Sequence, residues 1–448
     1  MQTEVEAFLQ RIRAFPDDDA PRLIFADWLE EQAPAYPQSR ARVGVTTGLE
    51  WGAARGRFIR VQIALARLLE DEARDAEHSR RNEREFAQTE LLKLMKEEQE
   101  LSDAYRDEWM APFQGLATGL VFRRGFVEEV NVAARDFLRR AHELFAASPL
   151  RHIHFLDVGG SLPSLLQCPY LSRLTALTIK GSHAREPLAR AVARSEHLTG
   201  LKSLHLTRND FEDDAAEHLA ASPMLAHLED LDLGDNELGE TSAHALAASP
   251  HLGALRRLEL RNNRLGPAGA EVLAGSERLV GLQQLGLSHN EIGTARLNAL
   301  TKTHGFLRVP LLDLSANDLG PAGLQVIFNR FPGPTEPGTN RLRDLDLSHN
   351  PLGDDGMRVL AVCPQLDSLQ VLRLVGCGIG DEGVRVLAES PHLNGVLKLD
   401  LSNNPISDSG CRALLPPLHF RKLQQLIIPD IGISSRVREA IRERFRAR

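Results

Sequence analysis

Apolar residues recur along most of this chain in one spacing, L-x-x-L-x-L-x-x-N, and the polar residue that closes it returns on a fixed period. The stretch reads LKSLHLTRN up to Asn209, LEDLDLGDN up to Asn236, LRRLELRNN up to Asn263 and LQQLGLSHN up to Asn290. It continues as VPLLDLSAN to Asn317, LRDLDLSHN to Asn350, LQVLRLVGC to Cys377 and VLKLDLSNN to Asn404. Successive closing positions lie 27 residues apart, except for one step of 33 between Asn317 and Asn350. Weaker copies (VEEVNVAAR, LRHIHFLDV, LTALTIKGS and LQQLIIPDI) extend the series to about twelve units from near residue 127. Alternation of apolar and polar positions in the first half of a unit predicts a short strand. The second half, LGDDGMRVLAVCPQL after Asn350 for instance, spaces Met357, Leu360 and Ala361 at helical intervals. Each unit is therefore a strand, a turn, a helix and a return loop.

No such unit can bury its own apolar face; stacking joins the Leu columns into one shared core. The pattern is that of a leucine-rich repeat, and its 27-residue period resembles the ribonuclease-inhibitor-like subclass. That resemblance implies an α/β fold, a leucine-rich-repeat solenoid shaped as a horseshoe. Strands at ~4.8 Å spacing would line its concave side and helices its convex side. The closing column, Asn209, Asn236, Asn263, Asn290, Asn317, Asn350, Cys377 and Asn404, reads as a structural ladder. A buried amide that both donates and accepts satisfies backbone groups where the strand turns away, and Cys377 fills the slot with a weak donor. Cys411 aligns with the buried helix face, and Cys168 and Cys363 with the Ser before Pro in ASPHL. With no CxxC pair, the four cysteines read as free thiols of a reducing, cytoplasmic compartment, none of them catalytic.

Ahead of the repeats stands FPDDDAPRLIFADWLEE, with three consecutive carboxylates at Asp17, Asp18 and Asp19. Pro21 suits the first turn of a helix, Asp19 a cap, and Asp17 and Asp18 the positive end of the helix dipole. Leu23, Ile24 and Trp28 then read as the apolar stripe of that helix, and Phe8, Leu9 and Ile12 as the stripe of the one before. Helix capping accounts for the carboxylates without metal or acid–base chemistry. Together with GRFIRVQIALARL from Gly56 to Leu68, this segment resembles the repeat-companion domain that precedes repeat arrays in planctomycete and myxobacterial proteins. The matching positions are Phe8, Leu9, Pro16, Asp17, Asp19, Arg22, Leu23, Ala26, Asp27, Trp28, Leu29, Glu30, Phe58, Ile59 and Gln62. The resemblance implies a bacterial protein and pairing with a repeat array, and it implies no catalytic residue.

The expected organisation is a helical companion module at 1–68, with 33–54 as a Pro/Gly-interrupted inserted loop, and long charged helices at 69–112. These helices form a hairpin that breaks near His78–Asn82, and their interleaved acids and bases read as a solvated face. The solenoid occupies 113–434, opening with two strands around Gly125, and a basic capping helix occupies 435–448. The six extra residues of the long step fall in FPGPTEPGTN, Phe331–Asn340, read as a tolerated surface loop.

Charge narrows the partner. The net charge is −8, and the first 110 residues carry −7 of it, so neither nucleic acid nor an anionic membrane is expected to bind. No apolar run reaches the ~18 residues of a membrane span, and MQTEVEAFLQ has no signal-peptide pattern. No GxxxxGK[ST], GxSxG, HExxH or kinase signature occurs, so no enzyme activity and no cofactor are expected. His289 and His349 share a column two units apart, ~10 Å, too far to share a metal. On the strands, the position four before each closing residue collects His205, Asp232, Glu259, Gly286, Asp313, Asp346, Arg373 and Asp400, a largely acidic seam. Asp230, Arg257 and Asp344 lie two residues earlier, and Arg261, His289 and His349 at the strand ends. Carboxylates ~5 Å apart repel and call for a cation, which a basic protein segment supplies, with Arg257 and Arg261 setting register. The expected function is a monomeric, non-catalytic protein–protein interaction scaffold. The alternative is regulation of an enzyme, since arrays of this subclass include nuclease inhibitors and activators of small GTPases.

Overall fold

The computed structural model describes residues 2–31, 51–75, 81–293, 308–329, 342–416 and 420–446. The chain divides into two compact units, residues 1–178 and 179–448, and in each the strands pair in chain order.

The first unit opens with four helices, α1 (Gln2–Ala14), α2 (Ala20–Glu31), α3 (Trp51–Asp75) and α4 (Arg81–Met110). After these come β1 (Thr118–Arg123), β2 (Phe126–Ala133), α5 (Ala134–Ala147), β3 (His152–Leu156), α6 (Leu162–Leu166) and β4 (Ala176–Ile179), which the unit boundary crosses. Leu9, Ile12, Phe25, Ala26, Leu29, Ile59 and Ile63 bury one core of α1, α2 and α3 against Phe126. Ala54, Phe58, Val61, Leu94, Leu101, Tyr105 and Trp109 bury a second between α3 and α4. β1 and β2 form an antiparallel hairpin, and β2 then pairs in parallel with β3.

Three expectations change here. Residues 51–54, read as loop, form the first turn of α3, because Ala54 is needed in the α3–α4 core; residues 33–50 lie outside the described residues. Within the expected break near His78–Asn82, 76–80 lie outside them too. Asp18 rather than Asp19 caps α2, its Oδ1 accepting the Ala20 N–H at 2.9 Å. Asp17 and Asp19 reach across the chain instead: Arg151 donates to Asp17 at 2.8 Å and Arg67 to Asp19 at 2.8 Å. Finally, α2 buries Pro21, Arg22, Phe25, Ala26 and Leu29, while Ile24 is 56% exposed.

Arg22 faces the core because it has a partner there. Its Nη2 donates to Glu128 Oε1 of β2 at 2.6 Å and to the Pro16 carbonyl at 2.9 Å. The two side chains are 0% and 6% exposed, and the guanidinium also lies over the Phe126 ring. Burial pushes the Arg22 pKa down and that of Glu128 up, each opposed by the other's charge. Such a pair is costly to bury and costlier to break. Glu128→Ala should therefore lower the stability of this unit by ~3–5 kcal/mol, whereas Arg22→Met/Glu128→Leu should restore most of it. Trp28, Trp51 and Trp109 all belong to this unit, so tryptophan fluorescence in a urea titration reads it selectively.

In the second unit the strands are three residues long: β5 (Ser203–His205), β6 (Asp230–Asp232), β7 (Arg257–Glu259), β8 (Gln284–Gly286), β9 (Leu311–Asp313), β10 (Asp344–Asp346), β11 (Val371–Arg373), β12 (Lys398–Asp400) and β13 (Gln425–Ile427). They pair in parallel with unbroken register, so Leu204, Leu231, Leu258, Leu285, Leu312, Leu345, Leu372 and Leu399 form one buried column. The described helices of this unit are α7 (Arg185–Arg194), α8 (Asp213–Ala220), α9 (Glu240–Ala248), α10 (Gly266–Ala274), α11 (Pro321–Leu324), α12 (Gly353–Ala361), α13 (Asp381–Ala388), α14 (Asp408–Ala413) and α15 (Ser435–Arg446). Residues 331–340, the expected surface loop, lie outside the described residues.

Neighbouring repeats cap one another. A first-turn carboxylate of one helix accepts the N–H that opens the next: Asp213 from Gly239 at 2.8 Å, Asp354 from Gly380 at 2.7 Å, Asp381 from Ser407 at 2.7 Å and Asp408 from Ser434 at 2.7 Å. This satisfies donors that a helix N-terminus leaves open. It also explains Gly383, where a Cβ would stand only 2.5 Å from Asp354 Oδ1.

Below the strands, the closing amides form hydrogen bonds across repeats. Asn350 Oδ1 accepts from Asn317 N at 3.0 Å and Leu319 N at 2.9 Å, and its Nδ2 donates to Leu314 O at 3.0 Å. Asn404 Oδ1 accepts from Cys377 N and Ile379 N, and its Nδ2 donates to Leu374 O. At Cys377 a single thiol donates to Leu347 O at 3.3 Å in place of the amide. Cys377→Asn should stabilise the repeats by ~0.5–1.5 kcal/mol, the net worth of a hydrogen bond. A lowered midpoint in a thermal melt followed by circular dichroism would show that the slot is shaped for sulfur.

Candidate partner-binding face

Each three-residue strand buries its central Leu and turns its two outer side chains to the opposite face of the sheet. Strand register then fixes which outer side chains are neighbours. Asp232 pairs with Glu259, Glu259 with Gly286, Gly286 with Asp313, Asp313 with Asp346, Asp346 with Arg373 and Arg373 with Asp400. In the adjoining row Asp230 pairs with Arg257, and Asp344 with Val371.

Four of these carboxylates also hold the backbone. Oδ1 of Asp232 accepts from Gly234 N at 2.8 Å, that of Asp313 from Ser315 N at 2.9 Å, that of Asp346 from Ser348 N at 2.9 Å and that of Asp400 from Ser402 N at 3.0 Å. The recurrent Asp thus tethers the chain two residues on, as short polar side chains do in turns. Glu259 is different. It accepts from Gln284 Nε2 at 2.7 Å and leans over Gly286, where any Cβ would collide with its carboxylate. Burial pushes its pKa up, and the charges of Asp232 and Asp313 push it further. Asp346 is raised too, first by burial and then by Asp313, against the hydrogen bonds from Ser348.

The cationic groups are largely engaged. Arg373 donates through both terminal nitrogens to Asp344, the second at 3.1 Å. Arg257 Nε lies 3.7 Å from Asp230 Oδ1, and Arg261 donates to Asp235 at 3.1 Å. His205 Nε2 lies 3.2 Å from Asp230 Oδ2 and 3.0 Å from Ser203 Oγ. His289 and His349 sit off the strands, exposed in the turn that follows, with φ of 54° and 59°. The same turn position in the other repeats holds Arg208, Asp235, Asn262, Ala316, Gly376 and Asn403, all left-handed. Backbone geometry alone therefore favours the His, Asn, Asp and Gly found there.

The buried thiols are inert. Burial pushes Cys363 up to about 12 and Cys377 and Cys411 each up to about 11, so all three stay protonated at neutral pH. Sequence reasoning passed over one group on the open face of β2 and β3, Glu129 with His152 and His154. The signal was available in RHIHF, because residues two apart on a strand share a face.

These elements define an α/β leucine-rich-repeat solenoid with an N-terminal helical region. The family profile described as Leucine Rich repeat matches residues 197–220, 225–247, 255–274, 341–361, 366–388 and 395–415, so leucine-rich repeats are present. Comparison with curated proteins found no match. Among solved structures, the chain is similar to one in the crystal structure of the Rad7 and Elc1 complex in yeast. That likeness has 17% identity and a TM-score of 0.42, and it covers 69% of this chain and 79% of the other. It is also similar to an internalin from Listeria monocytogenes, at 19% identity and a TM-score of 0.39, covering 62% and 67%. Among the described residues no helix is long and apolar enough to cross a membrane.

The hydrogen bond to Asp230 raises the pKa of His205 above its ordinary 6.5. The stability this interaction contributes is fully present below pH 6.5 and is lost as pH rises through the higher, folded-state value. In an NMR titration the His205 ring should therefore show a midpoint above 6.5, and Asp230→Asn should bring it back towards that value.

Proposed function

We propose that the protein is a non-catalytic scaffold that holds a basic segment of a protein partner against the open strand face of its repeats. The observation that carries this reading is the run Asp232, Glu259, Asp313 and Asp346. Register sets Asp232 beside Glu259 and Asp313 beside Asp346, and Glu259 bridges the gap left by Gly286. Neighbouring carboxylates and burial disfavour charge on Glu259 and Asp346, so an arriving cation gains from both. Arg373 and Arg257, already paired with Asp344 and Asp230, flank the run and would set the register of what docks. The resemblance of residues 3–68 to a repeat-companion domain fits a scaffold of bacterial origin, working as a cytoplasmic monomer.

The test is affinity capture from the source cell at low and high salt, with wild type beside Asp232→Lys/Asp313→Lys/Asp346→Lys. Capture of a shared partner should fall by at least ~10-fold in the triple variant and also with salt, as expected for electrostatic recognition. A partner held equally well by a triple variant of unchanged thermal stability would sink this reading.

A further inference from the structure

Away from the acidic run, in the first unit, three side chains converge that no part of the proposed function uses. Glu129 stands on β2, and His152 and His154 stand on β3. Glu129 is the register partner of His152, so two imidazoles and a carboxylate occupy neighbouring places on one sheet face. One donor atom from each lies within 4.8 Å of the other two, the one such group of three among the described residues. His154 Nε2 is 2.8 Å from Glu129 Oε1, and His152 Nδ1 is 3.5 Å from Glu129 Oε2. The two rings are 4.1 Å apart between centroids.

We propose that Glu129, His152 and His154 bind a divalent transition-metal ion of the zinc type. Four-coordinate zinc with bonds of ~2.0–2.1 Å sets its donors ~3.3 Å apart; His154 Nε2 lies 2.8 Å from one carboxylate oxygen and His152 Nδ1 3.5 Å from the other, so each imidazole meets the carboxylate at about that spacing. Two imidazoles and one carboxylate are also a donor set that zinc takes with a fourth position open.

The surroundings orient these donors. His152 Nε2 lies 2.9 Å from Thr178 Oγ1; donation to that oxygen leaves Nδ1, the atom facing Glu129, with its lone pair. Arg123 donates to Glu129 Oε2 at 2.9 Å, which steadies the carboxylate. The arginine side chain is 61% exposed, so solvent screens its repulsion of the cation. The ligands are only partly buried, which leaves the fourth position to water or to a donor from another molecule. Without an ion, the His154–Glu129 contact is a simple hydrogen bond; with one, the ion replaces its proton.

The experiment uses the tag-free full chain, stripped with a chelator and titrated with Zn2+ against a chromophoric chelator, and in parallel with Co2+ followed by visible absorption. Wild type should bind one equivalent of Zn2+ with micromolar or tighter affinity, and Co2+ should give the bands of a four-coordinate site. His152→Gln, His154→Gln and Glu129→Gln should each weaken binding at least ~10-fold. These side chains lie on the open face, so metal-free variants should keep the wild-type tryptophan-detected unfolding transition. Failure of wild type to bind Zn2+ below ~100 μM would overturn the proposal. So would undiminished binding in all three variants, which would place the ion on other donors. Neither result bears on the acidic face of the second unit, which the affinity capture tests separately.

Discussion

The second unit depends on the buried amide that closes its strands. A strand of three residues leaves the chain turning away with N–H and C=O groups inside the core, and each must find a partner there. One Asn side chain answers from both ends: its Oδ1 takes N–H groups of the preceding repeat and its Nδ2 donates to carbonyls below. Because most of these bonds are made with the neighbour, no repeat is complete alone. The Leu column and the Asp caps obey the same logic, so stability is a property of adjacent pairs. The left-handed residue before each closing position belongs to this constraint, which favours the His, Asn, Asp and Gly that fill six of the eight places.

That constraint changes how the acidic face is understood. The Asp of the recurrent LDLS is partly structural, since its Oδ1 holds the N–H two residues on. Its second oxygen remains for other uses, so one residue serves both fold and surface. The interruptions of the Asp column have no such tether. Glu259 lacks the short tether and fills the space over Gly286, and Arg373 breaks the column and is claimed by Asp344.

The period, the Leu column and the strand–helix alternation were legible in the sequence because one spacing recurs often enough to average out local noise. What stayed hidden depends on contacts between distant residues. Ile24 belongs to a plausible helical stripe, yet the face that packs is the one carrying Arg22, because Glu128 waits 106 residues away. Capping was the right kind of role for the three carboxylates at Asp17–Asp19, but only Asp18 performs it; the partners of the other two, Arg151 and Arg67, are set by tertiary packing. His152 and His154 were visible only as a weak copy of the repeat, and Glu129 joins them through strand register, which no single segment reveals. On the candidate face, the rows were countable from the period, whereas the pairings of Arg257, Arg261 and Arg373 depend on where the folded chain sets each carboxylate.

Adjacent glutamates on β2 show how one physical rule yields two chemistries. Glu128 points into the core and is held there by Arg22, with burial opposing both charges. Glu129, one residue on, points to the open face and meets two imidazoles and Arg123. The pleat alone decides which carboxylate becomes a buried tie and which stays available to a ligand. A one-residue slip of β2 would put a valine in one of the two places, Val127 opposite Arg22 or Val130 opposite the histidines. Only the observed register gives both faces a carboxylate, so the core ion pair and the proposed metal site depend on the same strand pairing.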